Sequence, residues 1–397
     1  MEINMVYVIH SLVWPLIACL FWWWNELWYV TSVRARCKLL NAKLPPGHLG
    51  VPIFGEYFTF LWYFHFLHRP DRFITSKMDK YGKNVGAYKT FLYGSPAIIA
   101  CSPSLCKRIL TSTTGFKQGW PSSEVLGSHS VITIHGSRHQ LIKGLLSTEF
   151  NHRDALSLIA QQVQPCIVAA LHSWSQIGQI NTFFQTKRVA LEFMARYMAS
   201  LEIAPEIDDL EELFSAVTEG IRAQPWNFPG TPYRHALQEE NMEMAKEKNA
   251  VDVTYEDFLR LKYTNQVVEE TNRIASLSGF LFKQATEDIK FEGYLIPKGW
   301  NVLLWLRYLH IDPKNFEDPM TFNPDRWESR PKHGTYLPFG GGTRTCPGSM
   351  LVHLITTLFL HHLVVGYRWE LANPDMPIIY LSHPVPADGV EILVSRV

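Results

Sequence analysis

One ten-residue stretch near the C-terminus has the residue types of a metal–thiolate site: Phe339-Gly340-Gly341-Gly342-Thr343-Arg344-Thr345-Cys346-Pro347-Gly348. Its glycines permit a tight loop with close backbone approach, and Pro347 suits the first turn of a helix. Cys346 then sits where backbone N–H groups and the positive helix end stabilise a thiolate, the form that binds metal. For a lone cysteine the alternative is an inert thiol buried beside a glycine turn. The other five cysteines (Cys19, Cys37, Cys101, Cys106 and Cys166) are scattered. Cys101 and Cys106 have no second pair to complete a zinc site. A dinucleotide-binding reading of the glycines fails, because Thr345 stands where the third glycine would be and no βαβ unit surrounds the loop.

The elements that must position this loop read as mainly helical. A nearly continuous helical run comes after it from Pro347 to Val365, closed by Gly366. From about Ser102 to Leu237 the apolar spacing is mostly helical, with breaks at Gly136, Pro205 and 226–232. Residues 88–99, interrupted by Tyr93-Gly94-Ser95-Pro96, read as a hairpin. The segment Gly293-Tyr294-Leu295-Ile296-Pro297-Lys298-Gly299 reads as a turn between short strands. The chain of 397 residues carries 37 basic and 37 acidic side chains, and only 19% of its residues are charged. That balance gives no footprint for nucleic acid.

Thirteen tryptophans are present, five of them within the first 28 residues: Trp14, Trp22, Trp23, Trp24 and Trp28. Residues 5–24 carry no formal charge apart from neutral His10. A helix of that length spans about 30 Å, enough for a bilayer, and the tryptophans fit an interfacial belt. Arg34, Arg36, Lys38 and Lys43 come next, so the positive-inside rule puts the rest of the chain on the cytoplasmic side. A cleaved signal peptide is the weaker reading, because no basic region precedes the apolar run. Leu44-Pro45-Pro46-Gly47 should break the anchor helix and set the angle of the domain beyond it.

The ten-residue stretch resembles the haem-binding signature of the cytochrome P450 family, Phe-x-x-Gly-x-Arg-x-Cys-x-Gly, at every fixed position: Phe339, Gly342, Arg344, Cys346 and Gly348. The resemblance implies that Cys346 is the axial iron ligand of haem b and Arg344 a propionate partner. Glu270-Thr271-Asn272-Arg273 resembles the family's Glu-x-x-Arg helix, and Phe322-Asn323-Pro324-Asp325-Arg326-Trp327 the segment whose arginine joins that pair. Glu270 and Arg273, at i and i+3, can present one charge cluster to Arg326. Pro45-Pro46-Gly47, Gly119-Trp120-Pro121, Phe228-Pro229-Gly230 and residues 293–313 resemble the plant branch that oxidises ent-kaurenoic acid, brassinosteroids and β-amyrin.

The resemblance implies a mainly α, P450-like domain with small peripheral sheets behind an N-terminal membrane helix. The expected division is an anchor at 1–30, a basic, Pro-rich linker at 31–47 and a haem domain at 48–397. The implied activity is monooxygenation of a small apolar terpenoid or sterol-like substrate. Electrons would come from NADPH through cytochrome P450 reductase at the endoplasmic reticulum membrane, with the haem domain facing the cytoplasm.

The chain departs from the family pattern in two ways. Propionate positions are softened to His139-x-x-x-Lys143 and Lys283; lysine keeps the charge but loses the bidentate fork. An amphipathic helix face is the alternative for His139 and Lys143. His135 and His139 sit at i, i+4 but lack the third ligand a zinc site needs. The larger departure lies between His139 and Glu270. That interval contains no Ala-Gly-x-Asp/Glu-Thr/Ser, the distal acid–alcohol pair of the family; Ala216-Val217-Thr218-Glu219-Gly220 has the types in the wrong order. A segment on the order of a hundred residues, the length of several helices, is expected to have dropped out near 237–239. A catalytically impaired, internally truncated membrane protein is therefore the alternative function. Haem chemistry without dioxygen activation is a third reading.

Overall fold

The structure is a computed structural model that describes residues 13–14, 17, 21–119, 130–200, 232–247, 253–380 and 384–397. Most of the expected anchor (5–24), Trp120-Pro121, Pro205, 216–220 and 228–230 lie outside these residues. The chain divides into two compact units. The first comprises 1–136, 279–309 and 340–344; the second comprises 137–278, 310–339 and 345–397.

The first unit is built on a five-stranded sheet. Its strands are β1 (Ala87–Leu92), β2 (Ser95–Ala100), β3 (Phe116–Gln118), β5 (Leu281–Ala285) and β8 (Asn301–Leu304). They lie side by side in the order β1-β2-β8-β5-β3. The hairpin read from the sequence is β1–β2, with Ala87 opposite Ala100 and a turn at Tyr93-Gly94, both at positive φ. Such a turn follows the natural twist of two strands. β8 pairs parallel with β2 and antiparallel with β5, and its residues Val302, Leu303 and Leu304 are buried, as a central strand requires. β3 pairs with β5 so that Gln118 lies opposite Lys283. A short hairpin of β6 (Ile289–Phe291) and β7 (Tyr294–Ile296) completes this unit's strands. The turn expected across 293–299 is two turns, Glu292-Gly293 and Lys298-Gly299, and Tyr294–Ile296 between them is strand, paired antiparallel with β6.

The helices of this unit are α1 (Thr31–Leu39), α2 (Tyr57–Leu61), α3 (Asp71–Tyr81) and α4 (Pro103–Thr111). Helix α4 starts as its sequence dictates, with Pro103 in the first turn and the Ser102 hydroxyl accepting from the Leu105 N–H at 3.3 Å. Near the N-terminus, helix continues through a π-turn at Glu26–Val30 into α1. It ends before Leu44-Pro45-Pro46-Gly47, correcting the expected break. The chain already turns at Asn41, at φ +45°, a conformation that asparagine tolerates.

The second unit packs helices around a single core. They are α5 (Gly136–Asn151), α6 (Arg153–Ile177), α7 (Thr182–Ala199), α8 (Pro232–Glu247), α9 (Tyr255–Arg260), α10 (Lys262–Ala275) and α12 (Ser349–Gly366); the short α11 (Leu306–Ile311) comes between the last two in sequence. Leu354 and Leu358 of α12 are wholly buried among Ile159, Val163 and Ile167 of α6 and Val267 of α10. Helices α6 and α12 are long and apolar enough to cross a membrane, but both line this core. Strands β4 (Gln179–Asn181), β9 (Tyr367–Leu371) and β10 (Glu391–Arg396) form a sheet in the order β4-β10-β9. Helix α12 begins at Ser349 with Gly348 as its cap, so Pro347 lies just outside the helix. Helix α8 runs unbroken through 237–239.

The core of the second unit depends on α12. Leu358→Ala should cost about 2–5 kcal/mol, the range for emptying a buried leucine site, measured as a lower denaturant midpoint at unchanged slope.

Candidate functional site

The loop of the ten-residue motif is closed by its own backbone: the Cys346 N–H donates to the Phe339 carbonyl at 3.0 Å. Gly340 and Gly342 both have positive φ. At Gly342 an added Cβ would lie 1.9 Å from the Leu110 carbonyl oxygen, so only glycine fits where the loop passes α4. After the loop, the Asn151 side-chain amide at the end of α5 donates to the Pro347 carbonyl at 2.9 Å. The Cys346 thiol is exposed. These contacts present the exposed Cys346 sulfur on a pinned loop three residues before α12.

In the first unit, four basic side chains gather. Arg344 donates to the carbonyls of Ile134 at 2.6 Å and Val131 at 3.2 Å, and its guanidinium lies 3.0 Å from His135 Nδ1. Lys283, on β5, is nearly buried and donates to the Gln118 side chain at 3.3 Å. Burial, then the Arg344 charge, lowers the Lys283 ammonium to about 8. Burial also lowers His135, followed by the charges of Arg344, Lys117 and Lys283. The charged neighbours that shift these two groups are all cations. His135 and Lys117 join Arg344 and Lys283 here, although the sequence pattern singled out neither for this role. His135 precedes α5, whose first residue Gly136 has positive φ, so His135 and His139 do not share one helix. His139 is buried and Lys143 half-buried, one turn apart on α5; both belong to the second unit, as does Cys346.

Glu270 and Arg273 of α10 have no exposed side-chain surface. Their i, i+3 spacing gives a bidentate pair at 2.9 and 2.8 Å. Arg326 Nε adds a bond to Glu270 at 3.0 Å, as the motifs anticipated. Two further donors reach the same carboxylate: the Asn323 N–H and the Trp327 indole, each at 3.0 Å. Burial alone would raise the Glu270 pKa, but the hydrogen bond and charge of Arg273, the Asn323 N–H and Arg326 outweigh it, so the carboxyl sits below its usual range.

Arg273 also donates to the carbonyls of His310 and Pro319, at 2.8 and 2.7 Å. The buried His310 ring carries the connection onward. Its Nε2 accepts from the Leu337 N–H at 2.9 Å, which leaves Nδ1 to donate to the Ser276 hydroxyl at 2.8 Å. Leu337 lies two residues before Phe339, so this chain of bonds fixes the entry to the cysteine loop. His310 is a positioning residue with no signal in the sequence motifs.

Residues 233–387 match the family model described as Cytochrome P450. An ent-kaurenoic acid oxidase of Oryza sativa subsp. japonica is 30% identical, over 90% of this chain and 89% of its own length. The chain belongs to the cytochrome P450 family. Ent-kaurenoic acid oxidase 2 of Arabidopsis thaliana is 28% identical over 89% of this chain and 91% of its own. The beta-amyrin 11-oxidase of Glycyrrhiza uralensis is 27% identical over 92% and 94%. A solved cyanobacterial P450 with retinoic acid bound shares the fold, with a TM-score of 0.73 at 20% identity, covering 90% of this chain and 100% of that one. The match to the rice P450 extends over 453 positions, more than the 397 residues of this P450, so gaps in this chain fall inside the matched region.

In this P450, Glu270→Gln removes the charge that two buried or half-buried arginines share, and should destabilise by about 3–5 kcal/mol in chemical denaturation at neutral pH. Because the folded pKa of Glu270 is depressed, its stabilisation is present above the unfolded carboxyl value, about 4.3, and is lost as pH falls through the folded value. The wild-type and Glu270→Gln stability curves should therefore converge on acidification. Gly342→Ala, which must displace the loop from Leu110, should lower the melting temperature more than Gly348→Ala, where an added Cβ meets no atom within 4 Å.

Proposed function

We propose that this chain is a membrane-bound haem-thiolate monooxygenase that oxidises an apolar terpenoid or sterol-like substrate, with O2 and electrons supplied by NADPH–cytochrome P450 reductase. The observation that carries the reading is an exposed Cys346 thiol on a loop closed by its own backbone, in a chain whose motif arginine, Arg344, sits among other cations. These residues fit haem b: a sulfur for the iron, and a group of cations for the propionates. When bound, haem supplies the activation of dioxygen, which thiolate ligation favours by donating electron density.

The chain's own residues do the rest. Cys346 would supply the sulfur ligand, with Phe339, Gly342 and Gly348 shaping the loop around it. Arg344 and Lys283 would neutralise the propionate carboxylates, with His139 and Lys143 assigned to the same task from α5. The Glu270–Arg273–Arg326 cluster, through His310, holds the loop entry. Residues 5–24 anchor the chain in the endoplasmic reticulum membrane, with the haem domain on the cytoplasmic side. The alignment gaps and the lack of a distal acid–alcohol motif between His139 and Glu270 support an internal loss near 237–239. No protein side chain is assigned to deliver protons to oxygen.

The first test is a reduced-plus-carbon-monoxide difference spectrum of the full chain in membranes. The red-shifted band of thiolate-ligated haem is expected, and Cys346→Ser should abolish it while the protein still accumulates. No such band in well-expressed protein would overturn the proposal and leave the impaired, truncated reading. With the band present, reductase-dependent oxidation of diterpenoid and triterpenoid acids comes next.

A pH test separates the propionate role of Lys283. Its neutral form predominates in the haem-free chain above about 8, and pairing with a carboxylate favours the ammonium. Haem binding would then take up a proton at Lys283 while the Cys346 thiol releases one, so the Lys283 contribution alone should fall as pH rises through 8. Haem titrations at pH 7 and 9 should show the affinity advantage of the wild type over Lys283→Gln shrinking at the higher pH.

A further inference from the structure

The network through Glu270 and His310 reaches Leu337, on the entry side of the Cys346 loop. Helix α10 carries a second pair of polar side chains that this network does not use. Asn265 and Glu269 are four residues apart, so they lie one turn from each other on the same face. Each holds a segment that flanks the loop, one ten residues before Cys346 and the other seven after it.

On the entry side, the Tyr336 hydroxyl donates to the Glu269 carboxylate and lies 3.1 Å from the Glu269 backbone carbonyl. Burial, then the Glu269 charge, holds the Tyr336 pKa well above its usual value, so the phenol keeps the proton it donates. On the exit side, the Asn265 side-chain amide donates to the Phe258 carbonyl of α9 at 2.9 Å, which turns its Oδ1 toward α12. There Oδ1 accepts from the Thr357 hydroxyl at 2.9 Å and lies 2.9 Å from His353 Nε2. An amide oxygen only accepts, so Nε2 carries the ring's proton.

The His353 ring is enclosed by both helices. Helix α9 meets it with the Phe258 ring, edge-on at 5.9 Å, and α10 with Asn265 and with Glu269, 3.5 Å from Nδ1. Burial lowers the His353 pKa and the Glu269 charge raises it by less, so the ring lies below the usual imidazole range and is neutral at pH 7. A base whose pKa is lowered in its folded site is held there in full above its free value, about 6.5, and is driven out as pH falls through the folded value.

We propose that Asn265 and Glu269 are positioning residues for Cys346, gripping the chain on both sides of its loop from one face of α10, and that neutral His353 is the exit grip, released on protonation. The inference rests on the ligand role proposed above for Cys346 and adds a second hold to the one through His310.

Hydrogen exchange of the full chain in detergent, without and with added haem, reads the two grips. Tyr336→Phe and His353→Leu are expected to speed exchange in the peptide 337–348 several-fold. His353→Gln, whose amide still donates to Asn265, should keep the wild-type rate. Wild-type exchange in both Tyr336→Phe and His353→Leu overturns the inference, and Tyr336→Phe alone decides it if His353→Leu does not accumulate. A pH profile separates positioning from a merely structural contact. Between about pH 7.5 and 5.5, across the range where imidazoles titrate, the wild type should lose the thiolate band of its carbon monoxide spectrum at a higher pH than His353→Gln. Glu269→Gln, without the charge that raises the ring's pKa, should also lose it at a lower pH than the wild type. Coincident profiles overturn the role of His353. A wild type that never shows the thiolate band overturns the haem reading, and the exchange rates of the haem-free chain then decide the grips.

Discussion

A carboxylate with no exposed side-chain surface, Glu270, is the fixed point of the second unit. Taking that charge out of water is costly unless every lone pair is met, and here two arginines, an indole and a backbone N–H meet it. The partners come from α10 and from 322–327, so directional bonds tie the short 3-10 turn at Pro324–Glu328 to α10. Arg273 then hands the order on through the His310 carbonyl, and the His310 ring to the Leu337 backbone, two residues from the loop that presents Cys346. A hydrophobic core positions surfaces to within the tolerance of side-chain packing. A bonded ionic network specifies a single arrangement.

The cationic group around Arg344 and Lys283 works in the opposite sense. Burial first, and then the Arg344 charge, lowers the Lys283 pKa. Glycine at 342 is tied to this geometry, since it lets the loop lie against Leu110.

The internal shortening bears differently on the two halves of the chemistry. Cys346, Arg344 and the Glu270 cluster lie outside the interval from His139 to Glu270 or at its edge, and their local geometry is intact. Oxygen activation also draws on a distal proton path, for which this sequence offers no motif. Exposed Leu141 and Leu145 on α5 leave apolar surface uncovered in the second unit. Ligation and turnover are therefore separate properties of this chain, and the carbon monoxide spectrum and the oxidation assay address them in turn.

Much of the protein was legible in the order of its residues. The closed Gly-rich loop before Cys346, the Glu270–Arg273 spacing, the hairpin at Tyr93-Gly94 and the long apolar helix after Gly348 all depend on local chemistry: backbone freedom, helical periodicity and turn preference. Boundaries were legible less well. Helix α12 starts two residues after Pro347, and the N-terminal helix stops before the prolines. What the tertiary structure alone decided are contacts between segments distant in sequence. Trp327 and Asn323 on Glu270, the His310 bridge to Leu337, and His135 beside Arg344 have no local signature. The same holds for the face of helix 57–66: its aromatic residues read alike along the chain, and only packing of Phe60 and Phe64 against Phe73 and Trp305 determines which remain outside. Short-range preferences are written into neighbouring residues, whereas a hydrogen bond across more than 50 positions exists only once the fold has brought its two ends together.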